Sequence, residues 1–417
     1  MRTLLAFPST ASFAQQAALA FHENQALETF LTAYVHHDDG LMAKALALAP
    51  GGLRARMEPQ LKRRSIDAIP SSILEERPFW EIVRTIADKA GASAPMVDRL
   101  WDHLSHDFTR AAGKYLKSQS VDAIYAYEYT ALEAFRDADK YGIKKILDFP
   151  SQNSRQYEEL QRREKKRFPE LIGAHEDYFS ARFETRQKRR DDEMNAADLI
   201  VTNSSVTRQS HIDGGADPDK TIAVPYGAPP ALEALPSHTV EGPLKAIWAG
   251  TFSIRKGAHY FIDAWRALNA GRDAVIDIYG AIAVPDRVWS PKPESLEFHG
   301  SVPRTRLFDA FDRADVLVFP TLSDGFGMVV TEAFARGLPV ITTDQAGASD
   351  LVKHGKNGLI IPAGDPGEIQ TALEWCLNHR AELGAMRARA LETAQNWQWS
   401  DYRNALYQGV TGFFSHS

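Results

Sequence analysis

One cysteine among 417 residues, Cys376, leaves no partner for an intramolecular disulfide and too few thiolates for a multi-cysteine zinc site. That scarcity agrees with a reducing compartment, the cytoplasm, and gives Cys376 a place in the core. Long apolar runs are missing too, and no segment approaches the ~20 residues of a membrane span. The opening MRTLLAFPSTASFAQQ carries one arginine and a brief apolar run before Pro8, too short for a secretory leader. Charge of one sign is not in large excess: 48 Lys and Arg stand against 54 Asp and Glu, a net of −6, which argues against a general nucleic-acid binder. There is no repeat at fixed period and no low-complexity tract. A G-x-G-x-x-G fingerprint is absent after the first strand pattern, where PSTASF occupies 8–13, and this disfavours an NAD-type dehydrogenase.

What is present is ordinary globular composition, 44% hydrophobic and 24% charged, in a chain long enough for two or three domains with full cores. Short apolar runs alternate with amphipathic segments, as parallel sheets with crossover helices require. Strands are predicted near Thr3 to Phe7, Glu28 to Tyr34, Ala123 to Tyr127, Lys145 to Phe149 and Leu199 to Thr202, with a long, mostly helical insertion from Leu41 to Gln119. A Pro- and Gly-rich pause at 224–243 reads as an interdomain linker. Six further strands follow, near Lys245 to Ala249, Val275 to Tyr279, Leu296 to His299, Val316 to Phe319, Pro339 to Thr342 and Leu359 to Ile361. The aromatic-rich end WQWSDYRNALYQGVTGFF reads as a helix that packs on something large, with Trp397 and Trp399 as anchors.

Two segments carry the chemistry. In FPTLSDGFGMVVTEAFARGLPVI, a buried strand ends at Phe319, Gly325 and Gly327 flank a turn, and a helix runs from Met328 until Gly337 and Pro339 stop it. Such a turn lies at the carboxyl end of a parallel sheet, where open α/β folds bind ligands, and an uncapped helix start suits an anion. Asp324 and Glu332 bracket that seat. Carboxylates are poor phosphate ligands but accept bonds from hydroxyls, so the layout fits a nucleotide sugar: ribose diol, diphosphate, sugar polyol. The plainer alternative is a turn-starting Asp324 and a solvated Glu332. In AIWAGTFSIRKGAHYFIDAW, Arg255 and Lys256 stand at a second loop-to-helix entry, where a Ser or Asp cap would be usual. Two cations at a positive helix end are awkward unless an anion visits, and Arg with Lys suits a diphosphate. On this reading, removing both should not lower the melting temperature in the absence of ligand.

With these motifs, and with AADLIVTNSSVTRQSHIDGGADPDKTIAVPYGA before them and GASDLVKHGKNGLIIPAGD after, the sequence resembles the retaining nucleotide-sugar glycosyltransferases of glycosyltransferase family 4. The resemblance is strong over 196–365 and traceable elsewhere. It implies the GT-B fold, an α/β architecture of two Rossmann-like, doubly wound parallel-sheet domains facing across a cleft: an acceptor domain at 1–228, a donor domain at 229–396, and a last helix at 397–417 returning to the first. It implies that Arg255 and Lys256 meet the diphosphate, Asp324 the transferred sugar and Glu332 the ribose. Gly250 and Thr251 of the phosphate loop, Gly325, and the backbone around Phe326, Gly327, Met328 and Val329 complete the donor seat, and Ser301 and Val302 fall where the base sits. Partners are then a nucleoside-diphosphate sugar and a glycan, lipid-linked or small-molecule hydroxyl acceptor, with no nucleic acid, no cofactor and no metal.

Three positions depart from the family pattern. The arginine usual after the loop's first glycine is Thr251, the glycine-rich loop after the first strand is PSTASF, and a histidine after the fourth strand is replaced by Pro150 in ILDFPSQN. Ser9, Thr10 and Glu128 are the candidates on the acceptor side. The acids of HHDDG (36–40) and DAD (137–139) read as a surface loop and a helix face. Lys62-Arg63-Arg64 and RREKKRFPE (162–170) could touch anionic lipid or an anionic acceptor, although interleaved acids favour a solvated helix for the second. A GT-B epimerase or phosphorylase, or a silent nucleotide-sugar-binding module, are the alternatives in function.

Overall fold

The structure, a computed structural model, describes the chain except residues 41–42, 45–46, 48–50, 52–53, 55–57, 59–60, 63, 119–120, 237–240 and 417. Arg63 and parts of the 41–119 insertion and the 224–243 pause therefore lie outside the described residues. Among those described, the strands form two sheets with parallel pairing throughout. The seven-stranded sheet takes β1 (Thr3–Ala6), β2 (Leu27–Thr32), β3 (Leu74–Glu76), β4 (Ala123–Tyr127), β5 (Lys144–Phe149), β6 (Leu199–Thr202) and β7 (Thr221–Ala223) in the order β3-β2-β1-β4-β5-β6-β7. The six-stranded sheet takes β8 (Leu244–Ala249), β9 (Ala274–Tyr279), β10 (Leu296–Gly300), β11 (Val316–Phe319), β12 (Val340–Thr343) and β13 (Gly358–Ile361) in the order β10-β9-β8-β11-β12-β13.

Each order reverses once, between β1 and β4 and between β8 and β11, and a parallel sheet opens a crevice at its carboxyl edge where the order reverses. The central strands are buried on both faces, hence their continuous apolar runs. Two strands escape the sequence reading. The Leu41 to Gln119 insertion is not helical throughout: β3 pairs with β2 at its edge, Phe30 opposite Leu74, before helices Phe79–Lys89 and Ala94–Ser118. At the other edge β7 is the tripeptide Thr-Ile-Ala. Three residues, two of them Glu in β3, give no periodicity to read.

The halves are tied where chain 225–228 meets chain 397–399. Ala228 N–H donates to the Trp397 carbonyl at 2.9 Å, Trp399 N–H returns a bond to Ala228 at 3.1 Å, and Trp397 Nε1 donates to the Pro225 carbonyl at 3.1 Å. Gly227 sits so close to the Gln398 backbone that any Cβ would overlap it. The last helix, Trp399–His416, then lies on helix Ser12–Glu23, with Arg403 bonded to Glu23 and Gln16, each at 2.7 Å. Cys376 is fully buried.

A second tie runs through the helix of the 162–170 run, where Arg162, Arg163, Lys166 and Arg167 are exposed as a solvated helix requires and Glu164 is buried. Helix Ser154–Arg167 turns one face onto helix Ala258–Leu268, burying Glu164, whose Oε2 accepts from His259 Nε2 at 3.1 Å and from the Tyr260 hydroxyl at 2.9 Å. Arg167 donates to the same tyrosine at 3.0 Å. In the other basic trio, Lys62 pairs with Glu58 and Arg64 with Glu81.

Asp148, late in β5, is buried, and the Tyr125 hydroxyl donates to it at 2.5 Å. Burial outweighs that bond and pushes its carboxyl from 3.8 up to about 7. An unfolded aspartate ionises near 3.9. Between the two values the folded state holds a proton that the unfolded state lacks, so Asp148 contributes stability at low pH that is lost as pH rises from about 4 towards 7. Asp148→Asn should remove this slope, at most about 1.4 kcal/mol per pH unit, in denaturant titrations run from pH 5 to 8. An unaltered slope in the variant would refute the assignment.

Candidate functional site

The loop after β8 passes through Gly250 and Thr251 and enters helix Ala258–Leu268 at Gly257, whose φ of 78° a side chain rarely adopts and whose missing Cβ makes room for the Pro320 carbonyl. That close approach places the loop directly against the chain leaving β11. Leu322 N–H and Thr321 Oγ1 both donate to the Arg255 carbonyl, at 2.9 and 3.1 Å. The second loop enters helix Met328–Ala335 at Gly327, φ 90°. The helix ends as its sequence predicts: Gly337 N–H bonds the Phe334 carbonyl and Leu338 N–H the Ala333 carbonyl, both at 2.9 Å. No side chain caps the start of either helix, so each keeps the partial positive charge of a helix N-terminus.

Three predicted residues converge there. Lys256 Nζ is in direct contact with Asp324 Oδ2, and Arg255 Nη1 lies 3.5 Å from the same oxygen and 3.1 Å from the Ser323 carbonyl. Lys256 also covers the Phe319 ring at 4.4 Å. Burial, and after it the Arg255 charge, drive the lysine towards a lower pKa. The carboxylate in contact acts the other way, and at this distance its attraction keeps the ammonium charged. One carboxylate between two cations leaves a surplus positive charge, carried outward by Arg255, whose side chain is 41% exposed against 13% for Lys256.

Glu332 has a different partner, Arg304 Nη2 at 2.9 Å, and burial raises its pKa against that charge. Arg304 opens the helix Arg304–Arg313 just after Ser301 and Val302, which ties the end of β10 to the Glu332 helix. Sequence reasoning passed over Arg304, although the argument that singled out Arg255 and Lys256, a cation where a cap is expected, applies to it equally. Gly250 and Thr251 extend the strand end, Gly250 N–H bonding the Tyr279 carbonyl at 2.8 Å, and Thr251 and Arg255 line a cavity of about 310 Å³.

The other half of the chain reaches the same turn. Pro150 and Ser151 pack against Gly325 where a Cβ would sit, and the Gly325 carbonyl accepts from Ser204 Oγ and Thr207 Oγ1, both at 2.8 Å. Phe326 is buried 5.2 Å from the Tyr226 ring. Ser151 Oγ donates to Glu128 at 2.5 Å, so Glu128 meets the seam through one intervening side chain, with Arg190 at 3.6 Å behind it. Ser9 and Thr10 lie half-buried in the loop after β1, and Ser12 of the following helix contacts Met328 Sδ at 3.8 Å. Val329 follows Met328 in the first turn. Where a histidine was expected, Pro150 stands. A histidine missed by the sequence reading, His211, arrives from another helix, stacks on Phe149 at 3.8 Å and meets the Ser151 carbonyl at 2.9 Å. Burial lowers its pKa.

Among the described residues no group of three or more His, Cys, Asp or Glu side chains is arranged to hold a metal ion. His36 lies near Asp38 and His37 pairs with Glu76, while Asp137 and Asp139 pair with Lys140 and Lys145.

These contacts reverse the stability expected of the cation variants. Lys256→Ala leaves a mostly buried carboxylate with one distant cation, so it should cost about 3 kcal/mol. Adding Asp324→Ala should return part of that loss. A double-mutant cycle by urea denaturation reads the coupling, and additive losses would show that the contact contributes nothing.

The family model described as Glycosyl transferases group 1 matches residues 243–379, a span that holds the three converging residues, Arg304 and Glu332. Curated relatives include the D-inositol 3-phosphate glycosyltransferase of Rhodococcus opacus, 29% identical over 33% of this chain and 29% of that protein. A second, D-inositol 3-phosphate glycosyltransferase 2 of Catenulispora acidiphila, is 34% identical over 25% of each chain. The chain thus spans less than a third of the length of these relatives. Among solved structures, sucrose-phosphate synthase of Thermosynechococcus elongatus has a TM-score of 0.64 at 14% identity, and Anabaena HepE in complex with UDP 0.57 at 14%, each covering 100% of both chains. The fold is GT-B, and the resemblance to GT-B glycosyltransferases holds.

Proposed function

We propose that this chain is a retaining, metal-independent glycosyltransferase of family 4 that moves a sugar from a nucleoside-diphosphate sugar to a hydroxyl acceptor. The observation that carries the reading is the meeting of Arg255, Lys256 and Asp324 between two uncapped helix starts at the β8/β11 reversal. Residues 229–396 would hold the donor and 1–228 the acceptor, with 397–417 joined to the first half. The match over 243–379 and the UDP and UDP-glucose complexes of HepE support the donor class, and the relatives' inositol phosphate supports a polyol acceptor. Cytoplasmic work on a glycan, a lipid-linked or a small-molecule acceptor follows from the same resemblance, and no described helix is long and apolar enough to cross a membrane.

The chemistry is departure of a nucleoside diphosphate from an anomeric carbon. A diphosphate entering the crevice competes with Asp324 for Lys256. The ammonium turns to the phosphate, Asp324 is released to accept from the sugar hydroxyls, and Arg255 with the helix amides meets the charge that grows on the leaving oxygen. Glu332, paired with Arg304 of the helix that follows Ser301 and Val302, accepts from the ribose. In the retaining course, the donor's own phosphate oxygen takes the acceptor proton on the same face.

The test is acceptor-dependent release of nucleoside diphosphate, after UDP, GDP, ADP and dTDP have been ranked by thermal stabilisation. Glu332→Gln should weaken nucleotide binding by roughly 1.5–3 kcal/mol. Asp324→Asn should hold or improve nucleotide affinity, since Lys256 loses its internal competitor, and should impair transfer. The opposite pattern in calorimetry, with Asp324→Asn abolishing binding and Glu332→Gln silent, would reverse the polarity of the site. Release that needs no acceptor would point to an epimerase, and nucleotide binding with no release under any acceptor to a silent module.

A further inference from the structure

Both uncapped helix starts at the β8/β11 reversal belong to the second half of the chain, and each is held from the first half. Ser204 and Thr207 hold one through the Gly325 carbonyl. The other start, of helix Ala258–Leu268, comes two residues after Lys256, and His259 and Tyr260 in its first turn are buried. Its holder is Glu164. Glu164 Oε2 accepts from both side chains, at 3.1 and 2.9 Å, while Oε1 lies 3.3 Å from Arg163 Nε, so both oxygens are engaged within the protein.

Burial pushes the Glu164 carboxyl up, but the bonds from His259 and Tyr260 outweigh it and the group stays ionised. Burial, and after it the bond to Glu164, push the Tyr260 hydroxyl up to about 12, so it remains a donor. Arg167 donates to that hydroxyl at 3.0 Å with its guanidinium 5.3 Å from the ring, and Phe168 stands edge-on to His259 at 4.8 Å. Among the described residues His259 Nδ1 has no partner, so the bond to Glu164 is what orients the ring. The end of helix Ser154–Arg167 thus clasps the turn that follows Lys256 and Gly257. Preorganised donors lose their effect when displaced by as little as about 1 Å.

We propose that Glu164 is a positioning residue for the donor diphosphate: from the first half of the chain it fixes the first turn of helix Ala258–Leu268, and with it Lys256 and the helix-start amides. The proposal rests on the glycosyltransferase reading. It adds that donor affinity, assigned to the second half, depends on a carboxylate of the first.

Calorimetry on the full chain, with whichever of UDP, GDP, ADP and dTDP stabilises the wild type most, reads the effect at a temperature where melting curves show each variant folded. Glu164→Ala should weaken nucleotide binding by about tenfold. Glu164→Gln, which can still accept from His259 and Tyr260, should restore most of that affinity, and Tyr260→Phe should fall between the two. Arg403→Ala, which breaks the tie of the last helix to Glu23 and Gln16, should bind as wild type. Wild-type affinity in Glu164→Ala and Tyr260→Phe, with only their melting temperatures moved, would make Glu164 a structural tie and overturn the proposal. Tighter binding in both Glu164 variants would overturn it too, since the carboxylate would then act as a repelling charge. If Glu164→Ala does not fold, Tyr260→Phe decides by the same reading. A wild type that binds none of the four nucleotides would remove the donor reading, and the positioning role with it.

Discussion

A lysine and an aspartate from two different loops, Lys256 and Asp324, share a place at the reversal of the second sheet where both helix starts are positive. An anion is needed at that point, and in the free protein the carboxylate supplies it. Much of the surrounding geometry follows. Gly257 must let the Pro320 carbonyl approach, Leu322 and Thr321 must bond the Arg255 carbonyl, and Ser204 and Thr207 must hold the Gly325 carbonyl so that Asp324 cannot swing away. A site that satisfies its own cation with an internal carboxylate is stable when empty. On the proposed function it is also open to exchange, because a diphosphate offers more negative charge than one carboxylate.

The seam between the halves is built of a different material. Glu164 is buried against His259 and Tyr260, Gln152 bridges Ser323 and the Gln345 carbonyl, and Ser205 bonds Asp350. Apolar contact lies beside them, with Phe326 against the Tyr226 ring and Phe168 edge-on to His259.

The sheets were legible in the sequence because central parallel strands are buried on both faces and read as continuous apolar runs. β3 and β7 were not, since three residues at an edge carry no pattern. The residues that converge at the candidate site could be picked by type: acids and cations standing where a helix wants a cap. Their partners could not. Lys256 and Asp324 are 68 positions apart, and Ser204 meets Gly325 across 121. In the charge run at 162–170 the exposed helix was legible and the burial of Glu164 was not, because helical spacing shows that Glu164 shares a face with Leu160 and leaves open what covers that face.

The exchange of partners at Lys256 is the step on which the functional account depends, and a crystal structure with the best-stabilising nucleoside diphosphate bound would display it directly. The account requires Lys256 Nζ within hydrogen-bond distance of a phosphate oxygen, Asp324 separated from it and open to the crevice, and Glu332 on the ribose. A nucleotide bound elsewhere, or one seated in the crevice with the Lys256–Asp324 contact intact, would contradict it.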